Sequence, residues 1–167
     1  MQRPTIHGTK TTLRPASPDD LDLLVRWFAD PGVHQYWDGS AKSPEQIVRQ
    51  GYTGTQRPEK EPFIVEAAGA PVGYVQYYVT DATSGGIDMF LIPSARDRGL
   101  GPDAAQALVR YLIEERGWRR VIVDPAADNA RAVRAWEKAG FVLEREWPDH
   151  PDGPAVLMAI EVQAEGI

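Results

Sequence analysis

Residues 87–103, IDMFLIPSARDRGLGPD, constrain the fold of this chain more than any other stretch. An apolar strand pattern stops at Pro93, and a helix pattern opens at Pro102 after Gly99 and Gly101. Closely spaced glycines allow a tight turn that points successive N–H groups at one place, and the positive end of the following helix adds to them. The stretch predicts a strand, an anion-binding turn suited to a phosphate, and a helix.

This turn differs from the two common phosphate loops. No Lys-Ser/Thr pair follows Gly101, as a P-loop requires, and no third glycine completes a dinucleotide fingerprint. The pattern Arg96-x-x-Gly99-x-Gly101 also fits an ordinary helix N-terminus. Its meaning therefore depends on the rest of the chain.

Composition excludes several classes of function. The 167 residues predict a single domain, 1–167, and a net charge of -6 argues against nucleic-acid binding while mildly favouring a cationic partner. Simple solubility would explain the same charge. The chain has no cysteine, its three histidines lack ligand spacing, and it has no membrane-length apolar run. We therefore expect no metal site, no cysteine nucleophile, no membrane partner and a cytoplasmic location.

Hydrophobic periodicity and turn residues predict the order β-α-α-β-β-β-α-β-α-β-β. Ser17 and Ser43, each followed by proline, mark two helix starts, and the helix after Ser43 should run through Tyr52. The short apolar run 121–123 indicates a parallel strand reached by a right-handed crossover. We predict an α/β (α+β) fold with a mixed, mainly antiparallel central sheet of about seven strands, flanked by about four helices on its two sides.

Asp88 is unusual because it lies inside an apolar strand. Strand alternation places it with Phe90 on the face opposite Ile87 and Met89. A carboxylate is disfavoured there unless it is paired or used. A bulge or an ion pair with an arginine such as Arg96 would give it a structural role, and proton abstraction would give it a catalytic one.

Two segments together resemble the GNAT family of acetyl-CoA-dependent N-acetyltransferases. They are the turn at 96–101 and residues 128–141, DNARAVRAWEKAGF, which fit the pattern N-x-x-A-x-x-x-W/Y-E-K-x-G-F. The order of elements also agrees, over nearly the whole chain. Further segments resemble the aminoglycoside 6′-N-acetyltransferases, namely YWDG at 36–39, GYVQYY at 73–78, GID at 86–88, DP at 124–125 and DGPAVLM at 152–158.

The resemblance implies a complete set of site residues. The turn would hold the diphosphate of coenzyme A, and the strand before it would pair with the pantetheine arm. The cofactor residues implied are Met89, Phe90, Leu91, Ile92, Arg96, Asp97, Arg98, Gly99, Leu100, Gly101, Asn129, Ala132 and Trp136. Asp88 would be the catalytic carboxylate, and the substrate residues implied are Tyr36, Trp37, Gln76, Tyr78, Asp88, Asp124 and Asp152.

The chemistry of the reaction agrees with this reading of Asp88. An amine is protonated at neutral pH, so a base must remove a proton beside the thioester before the nitrogen can attack. A backbone N–H of Met89 or Phe90 could stabilise the charge that develops on the carbonyl oxygen. Other positions have structural explanations: Asp124 and Asp152 precede turn-forming residues, and Tyr36 and Trp37 could either wall a pocket or cap the core.

Two departures from the family pattern affect the prediction. Trp136 stands where many members have a tyrosine that protonates the leaving thiolate, so Tyr111, Tyr77 or water would have to substitute. The turn at 81–86 is shorter than the acidic and aromatic insertion of related aminoglycoside enzymes, which puts the acceptor in question.

We predict an N-acetyltransferase that acts on a small cationic amine, with an aminoglycoside as the leading candidate, as a monomer or homodimer. The alternatives are acylation of a siderophore lysine, a polyamine or a protein N-terminus, and a non-catalytic acyl-CoA-binding module.

Overall fold

The computed structural model describes residues 3–54 and 59–163, which form one central sheet with the strand order β1-β2-β3-β4-β5-β6-β8-β7. Every neighbouring pair is antiparallel except β5 and β6, which are parallel as predicted. The strands within the described residues are β1 (Ile6–His7), β2 (Thr12–Pro15), β3 (Lys60–Ala67), β4 (Ala70–Asp81), β5 (Ser84–Leu91), β6 (Arg120–Val123), β7 (Val142–Trp147) and β8 (Ala155–Glu161).

Helices cover both faces of the sheet. The α-helices of the described part are α1 (Leu21–Ala29), α2 (Pro31–His34), α3 (Pro44–Arg49), α4 (Leu100–Glu114) and α5 (Ala130–Lys138). The first three bury one core with Ile64, Tyr74 and Phe90, while α4 and α5 bury the other with Val75 and Ile87. None of the described helices is long and apolar enough to cross a bilayer.

The predicted fold class is confirmed, with eight strands and five α-helices in the described residues instead of about seven and four. The two missed elements are β1, with two residues, and α2, with four. Both are too short to generate a periodic hydrophobic pattern. α2 is a single turn that begins at Pro31, directly after its N-cap Asp30.

Local capping explains where the helices begin. Ser43 forms a capping box with Gln46 at the start of α3, and Ser17 forms one with Asp20 at the 3₁₀ turn Pro18–Asp20 that leads into α1, as their sequence context predicts. Two boundaries differ from the prediction: α3 ends at Arg49, before Tyr52, and α4 begins at Leu100 instead of Pro102. The glycine turn is consequently shorter than expected.

β5 extends well beyond its pairing with β6, because β6 ends at Val123. The pairing covers only Ser84 to Gly86 of β5, although β5 continues to Leu91. Beyond Gly86, no described strand pairs with that edge of β5. This edge of β5 therefore has no partner strand beyond Gly86 and lies beside a gap between β5 and the end of β6, with the Leu91 carbonyl accepting a hydrogen bond from Arg96.

The strand alternation around Asp88 is as predicted. Ile87 packs into the core on the α4 side, and Phe90 packs into the core on the α1 side. Asp88 lies opposite Gln76 in a regular stretch of the β4–β5 register, which shifts only between Val79 and Asp81. A bulge therefore does not account for this aspartate.

Candidate functional site

A cavity of about 860 Å³ opens between the unpartnered part of β5 and the end of β6. Its walls come from α2 and the loop after it, β4, β5, the start of α4, the segment after β6, α5 and the loop that follows β7. Fifteen of the residues predicted for the site line it: Tyr36, Trp37, Gln76, Tyr78, Asp88, Met89, Phe90, Leu91, Arg96, Gly101, Asp124, Asn129, Ala132, Trp136 and Asp152.

The remaining predicted residues do not line this cavity. Ile92 packs against both cores, and Leu100 is buried, so the side chains of these two residues are committed to the interior. Only their backbone groups could contribute to a ligand site. Asp97, Arg98 and Gly99 form the turn that leads into α4.

Asp88 is held by a short hydrogen-bond chain. The hydroxyl of Tyr74 donates to Gln76 Oε1 at 2.7 Å, and Gln76 Nε2 donates to Asp88 Oδ2 at 2.9 Å. Because Tyr74 fixes the orientation of the amide, the nitrogen of Gln76 faces the carboxylate. Arg96 instead donates to the carbonyls of Leu91 and Gly32, so the ion pair with Asp88 that would have explained this residue is not formed.

The surroundings of Asp88 raise the pKa of its carboxyl group toward neutral pH. Burial raises the pKa of Asp88 to about 6, the Gln76 hydrogen bond opposes this rise, and the negative charge of Asp124 adds to it. A carboxylate with this pKa is mostly ionised at pH 7 and is a stronger base than a solvated aspartate. Asp88 is therefore suited to accept a proton inside the cavity.

Tyr78 lies over the strand that carries Asp88. A Cβ atom placed on Gly86 would lie 2.2 Å from the Tyr78 hydroxyl, so only glycine leaves room for this ring. Burial, followed by the charges of Asp88 and Asp124, raises the pKa of Tyr78 well above its usual value. The neutral phenol thus lies close to both carboxylates.

A second carboxylate, that of Asp124 directly after β6, is held by a histidine from the loop that follows β7. His150 Nε2 lies 2.7 Å from Asp124 Oδ2, and the backbone N–H of Asp152 donates to His150 Nδ1 at 3.0 Å. All three residues line the cavity. Asp124, Asp152 and Asp88 make this end of the cavity acidic, which suits a ligand with several ammonium groups.

The turn before α4 has the backbone geometry of an anion site. Asp97 and Gly99 both have positive φ, at 62° and 75°, and α4 begins at the next residue. Alternation of left-handed residues with ordinary ones turns successive N–H groups toward one point. Arg131 donates to Asp97 Oδ2 at 2.6 Å at this turn, and burial and then the charge of Arg131 lower the pKa of Arg96.

A segment from the other end of the chain is tied to the same turn. Asp103 in α4 accepts hydrogen bonds from the backbone N–H groups of Thr9 and Lys10 and from the Thr11 hydroxyl, at 3.1, 3.0 and 2.7 Å. A Cβ placed on Gly99 would lie 3.0 Å from Lys10 Nζ. The hydrogen bonds from residues 9–11 to Asp103 therefore bring the Lys10 ammonium group close to the turn.

Asn129 and Trp136 have structural roles in α5 as well as positions on the cavity wall. Asn129 caps the helix, and its Oδ1 accepts from the Ala132 N–H at 3.2 Å. Trp136 packs edge-on against Phe141, with ring centroids 5.2 Å apart, and is almost wholly buried. The indole therefore acts mainly as a packing group.

The aromatic loop after α2 both packs on the core and lines the cavity. Trp37 contacts Phe28, Tyr74 and Phe90, and its Nε1 donates to the Tyr52 hydroxyl at 2.7 Å. Tyr36 lies beside it and is about half exposed. The core-capping and pocket-wall interpretations are both correct for Trp37, and Tyr36 contributes to the cavity wall.

Comparison with known proteins identifies the family. Residues 17–148 match the family described as "Acetyltransferase (GNAT) domain". The chain belongs to the GNAT family. An aminoglycoside N(6′)-acetyltransferase type 1 from Klebsiella pneumoniae is 33% identical over 96% of this chain and 87% of its own length. A second relative of that name and the same identity comes from Serratia marcescens.

Solved structures of GNAT proteins with ligands resemble this one closely. The aminoglycoside acetyltransferase AAC(6′)-Ib in complex with coenzyme A and kanamycin has a TM-score of 0.80 and 30% identity, over 90% of this chain and 94% of its own. The same enzyme with ribostamycin and coenzyme A gives a TM-score of 0.82 over 91% and 93%. Another of its structures holds acetyl-CoA. The predicted cofactor class is thus the one found in these relatives.

The tyrosines considered as proton donors in place of Trp136 lie away from the cavity. Tyr77 is buried in the core on the α4 side, accepts a hydrogen bond from Arg116 at 2.7 Å, and has its pKa raised by burial to about 12. Tyr111 packs against the same core. In this GNAT chain neither ring reaches the cavity wall.

The polar residues at the site that were missed from the sequence include His150 and Lys10. His150 was set aside because the histidines lack metal-ligand spacing, and Lys10 lies in a segment without a motif. Each is brought in by a contact between distant parts of the chain, 26 residues apart for His150 and Asp124 and 93 apart for Lys10 and Asp103. The acidic neighbours of His150 were the available signal, since Asp149 and Asp152 flank it.

Proposed function

We propose that this GNAT protein transfers the acetyl group of acetyl-CoA to the 6′-amino group of an aminoglycoside. The observation that carries the proposal is Asp88, a carboxylate with a pKa of about 6 in an acidic cavity, on the strand whose edge is unpaired. The two related aminoglycoside N(6′)-acetyltransferases support the choice of acceptor.

The residues present fit coenzyme A. The edge of β5 at residues 87–91 has no partner strand and, apart from the Leu91 carbonyl that accepts from Arg96, offers backbone donors and acceptors to an extended arm. The positive-φ turn at Asp97 and Gly99, with Arg96, Arg131 and Lys10 around it, suits a diphosphate. Bound acetyl-CoA would supply an acyl group activated as a thioester.

The acceptor amine would enter from the acidic end of the cavity. Asp124 and Asp152 attract its ammonium groups, and Asp88 accepts the proton that the reacting nitrogen must lose. Gln76 keeps the Asp88 carboxylate oriented while that proton is taken up. Trp136 carries no acidic group, so the thiolate leaves unprotonated or takes a proton from water, which a thiol pKa of about 8.5 permits.

The short turn between β4 and β5 favours a second class of acceptor. β4 ends at Asp81 and β5 begins at Ser84, so the turn is as short as the sequence indicated and lacks the acidic insertion that the resemblance associates with aminoglycoside enzymes. Without such an insertion to form a wall, the cavity is open to slender amines. A polyamine or a lysine-derived amine is therefore the second candidate.

Thiol release from acetyl-CoA with a panel of amines tests the proposal. The panel contains kanamycin, tobramycin, an aminoglycoside with a hydroxyl in place of the 6′-amine, spermidine and a lysine-terminated peptide. We expect release with the first two and none with the 6′-hydroxyl compound. Asp88→Ala should lower the rate by about 100-fold or more, because general-base catalysis contributes about that much.

Asp22→Ala, which removes an exposed aspartate on α1, is the matched control and should leave the rate unchanged. Release with spermidine or the peptide alone would identify the second acceptor class. Tight coenzyme A binding without release for any amine would indicate a non-catalytic binding module.

A further inference from the structure

His150 joins the two carboxylates that the proposed function assigns to the acceptor. Its ring contacts Asp124 through Nε2 and the backbone of Asp152 through Nδ1. The His150 side chain is only 10% exposed, and the Asp124 side chain is 25% exposed toward the cavity. One imidazole therefore links the end of β6 to the tip of the loop between β7 and β8.

The hydrogen bonds determine the protonation of this ring. A backbone N–H can only donate, so Nδ1 must carry the lone pair that accepts from Asp152. Nε2 then carries the proton and donates it to Asp124 Oδ2. The arrangement selects a neutral imidazole in one tautomer, since a second proton on Nδ1 would point at the Asp152 N–H.

A neutral donor orients a carboxylate without cancelling its charge. Asp124 uses Oδ2 for His150, and Oδ1 has no hydrogen-bond partner among the residues that the structure describes. The charge of Asp124 remains strong enough to raise the pKa of Asp88 and of Tyr78. An arginine or lysine in place of His150 would compensate that charge and weaken the attraction for an ammonium group.

The loop that carries His150 is braced so that the ring cannot swing away. Its ring packs edge-on against Trp147, with centroids 4.5 Å apart. The Gly153 N–H donates to the His150 carbonyl at 3.0 Å, and the Ala127 N–H donates to the Pro154 carbonyl at 2.9 Å. Both sides of the contact are therefore fixed before a ligand arrives.

We propose that His150 is a positioning residue for the acceptor amine, holding the Asp124 carboxylate and the Asp152 turn toward the cavity through a neutral imidazole. The inference rests on the proposed acetyl transfer to a cationic acceptor. It assigns His150 no contact with the reacting atoms, so its effect should fall on acceptor binding and leave the chemical step unchanged.

Steady-state kinetics of four variants test this role, with the best acceptor of the panel. His150→Ala should raise the KM for the acceptor about 10-fold, with kcat and the KM for acetyl-CoA within about twofold of wild type, because a hydrogen bond to a charged group is lost. His150→Gln keeps a neutral donor and should recover most of that loss. His150→Lys should not, and His7→Ala, an exposed histidine on β1, should have no effect.

Two further measurements isolate the contact with Asp124. In Asp124→Asn the additional His150→Ala change should raise the acceptor KM by less than about twofold, since residues that act as a unit are not additive. In ¹⁵N-histidine NMR spectra, the signal that disappears in His150→Gln should show an unprotonated Nδ1 and a protonated Nε2.

The outcomes separate the two proposals. No activity with any amine would refute the proposed function and this role with it. Activity with an unchanged acceptor KM in His150→Ala, rescue by lysine equal to that by glutamine, or the opposite tautomer would overturn the role of His150 alone.

Discussion

Replacement of Asp88 by asparagine should remove activity and make the free protein more stable. The pKa of Asp88 is raised by burial from 3.8 to about 6, so the folded protein binds this proton more tightly than the unfolded chain does. The ionised form therefore destabilises the fold, and the wild type gains stability as the pH falls from 7 through 6 toward 4. Asparagine resembles the protonated form and can still accept the Gln76 hydrogen bond.

The size of the effect follows from the two pKa values. A tenfold change in proton affinity corresponds to about 1.4 kcal/mol, so the difference between 3.8 and about 6 amounts to about 3 kcal/mol at pH 7. At pH 4 the folded protein is almost fully protonated at Asp88 and the unfolded chain is roughly 40% protonated, so the advantage of asparagine should fall below about 1 kcal/mol.

Urea unfolding monitored by tryptophan fluorescence measures this difference. Wild type and Asp88→Asn are compared at pH 7 and at pH 4, with Glu137→Gln as a control that neutralises an exposed carboxylate on α5. The control should change the free energy of unfolding by less than about 0.5 kcal/mol at either pH. Equal stabilities for Asp88→Asn and wild type at pH 7, or a gain of the same size at pH 4, would refute a buried, destabilising carboxylate.

The remaining predictions concern the proton acceptor Asp88, the cavity wall at Tyr78, and the hydrogen bonds between residues 9–11 and Asp103 of α4. The value of kcat/KM for the acceptor should fall as the pH drops below about 6, because Asp88 then carries the proton it must accept, and a flat profile down to pH 5 would contradict this. Gly86→Ala should displace Tyr78 and raise the acceptor KM several-fold with an unchanged KM for acetyl-CoA, as steady-state kinetics would show. Asp103→Ala should lower the free energy of unfolding by about 1–2 kcal/mol, since three hydrogen bonds are lost, whereas Asp103→Asn, which keeps an acceptor oxygen, should lose less in urea unfolding.

Local patterns were sufficient to predict the part of the site that lies within one strand and the turn after it. Asp88 was assigned to the correct face because strand alternation has a period of two, and the turn at Gly99 was predicted because positive φ favours glycine. The parallel pairing of β6 followed from its short apolar run. These features depend on neighbours along the chain.

Contacts between distant segments could not be predicted in the same way. The Asp124–His150 pair joins the end of β6 to a loop 26 residues later, and no periodic pattern relates the two. The two short elements missed have the same cause, since β1 is defined by its pairing with β2 and not by its own two residues. Trp37 could be assigned to both core and cavity only once its ring contacts were known.

The most direct test of the central claim is a crystal structure with coenzyme A bound. We predict that its diphosphate accepts hydrogen bonds from the turn at residues 96–101 and that its arm runs along the unpaired edge of β5, with the thiol directed toward Asp88. A diphosphate bound elsewhere, or an arm that leaves residues 87–91 free, would contradict the account.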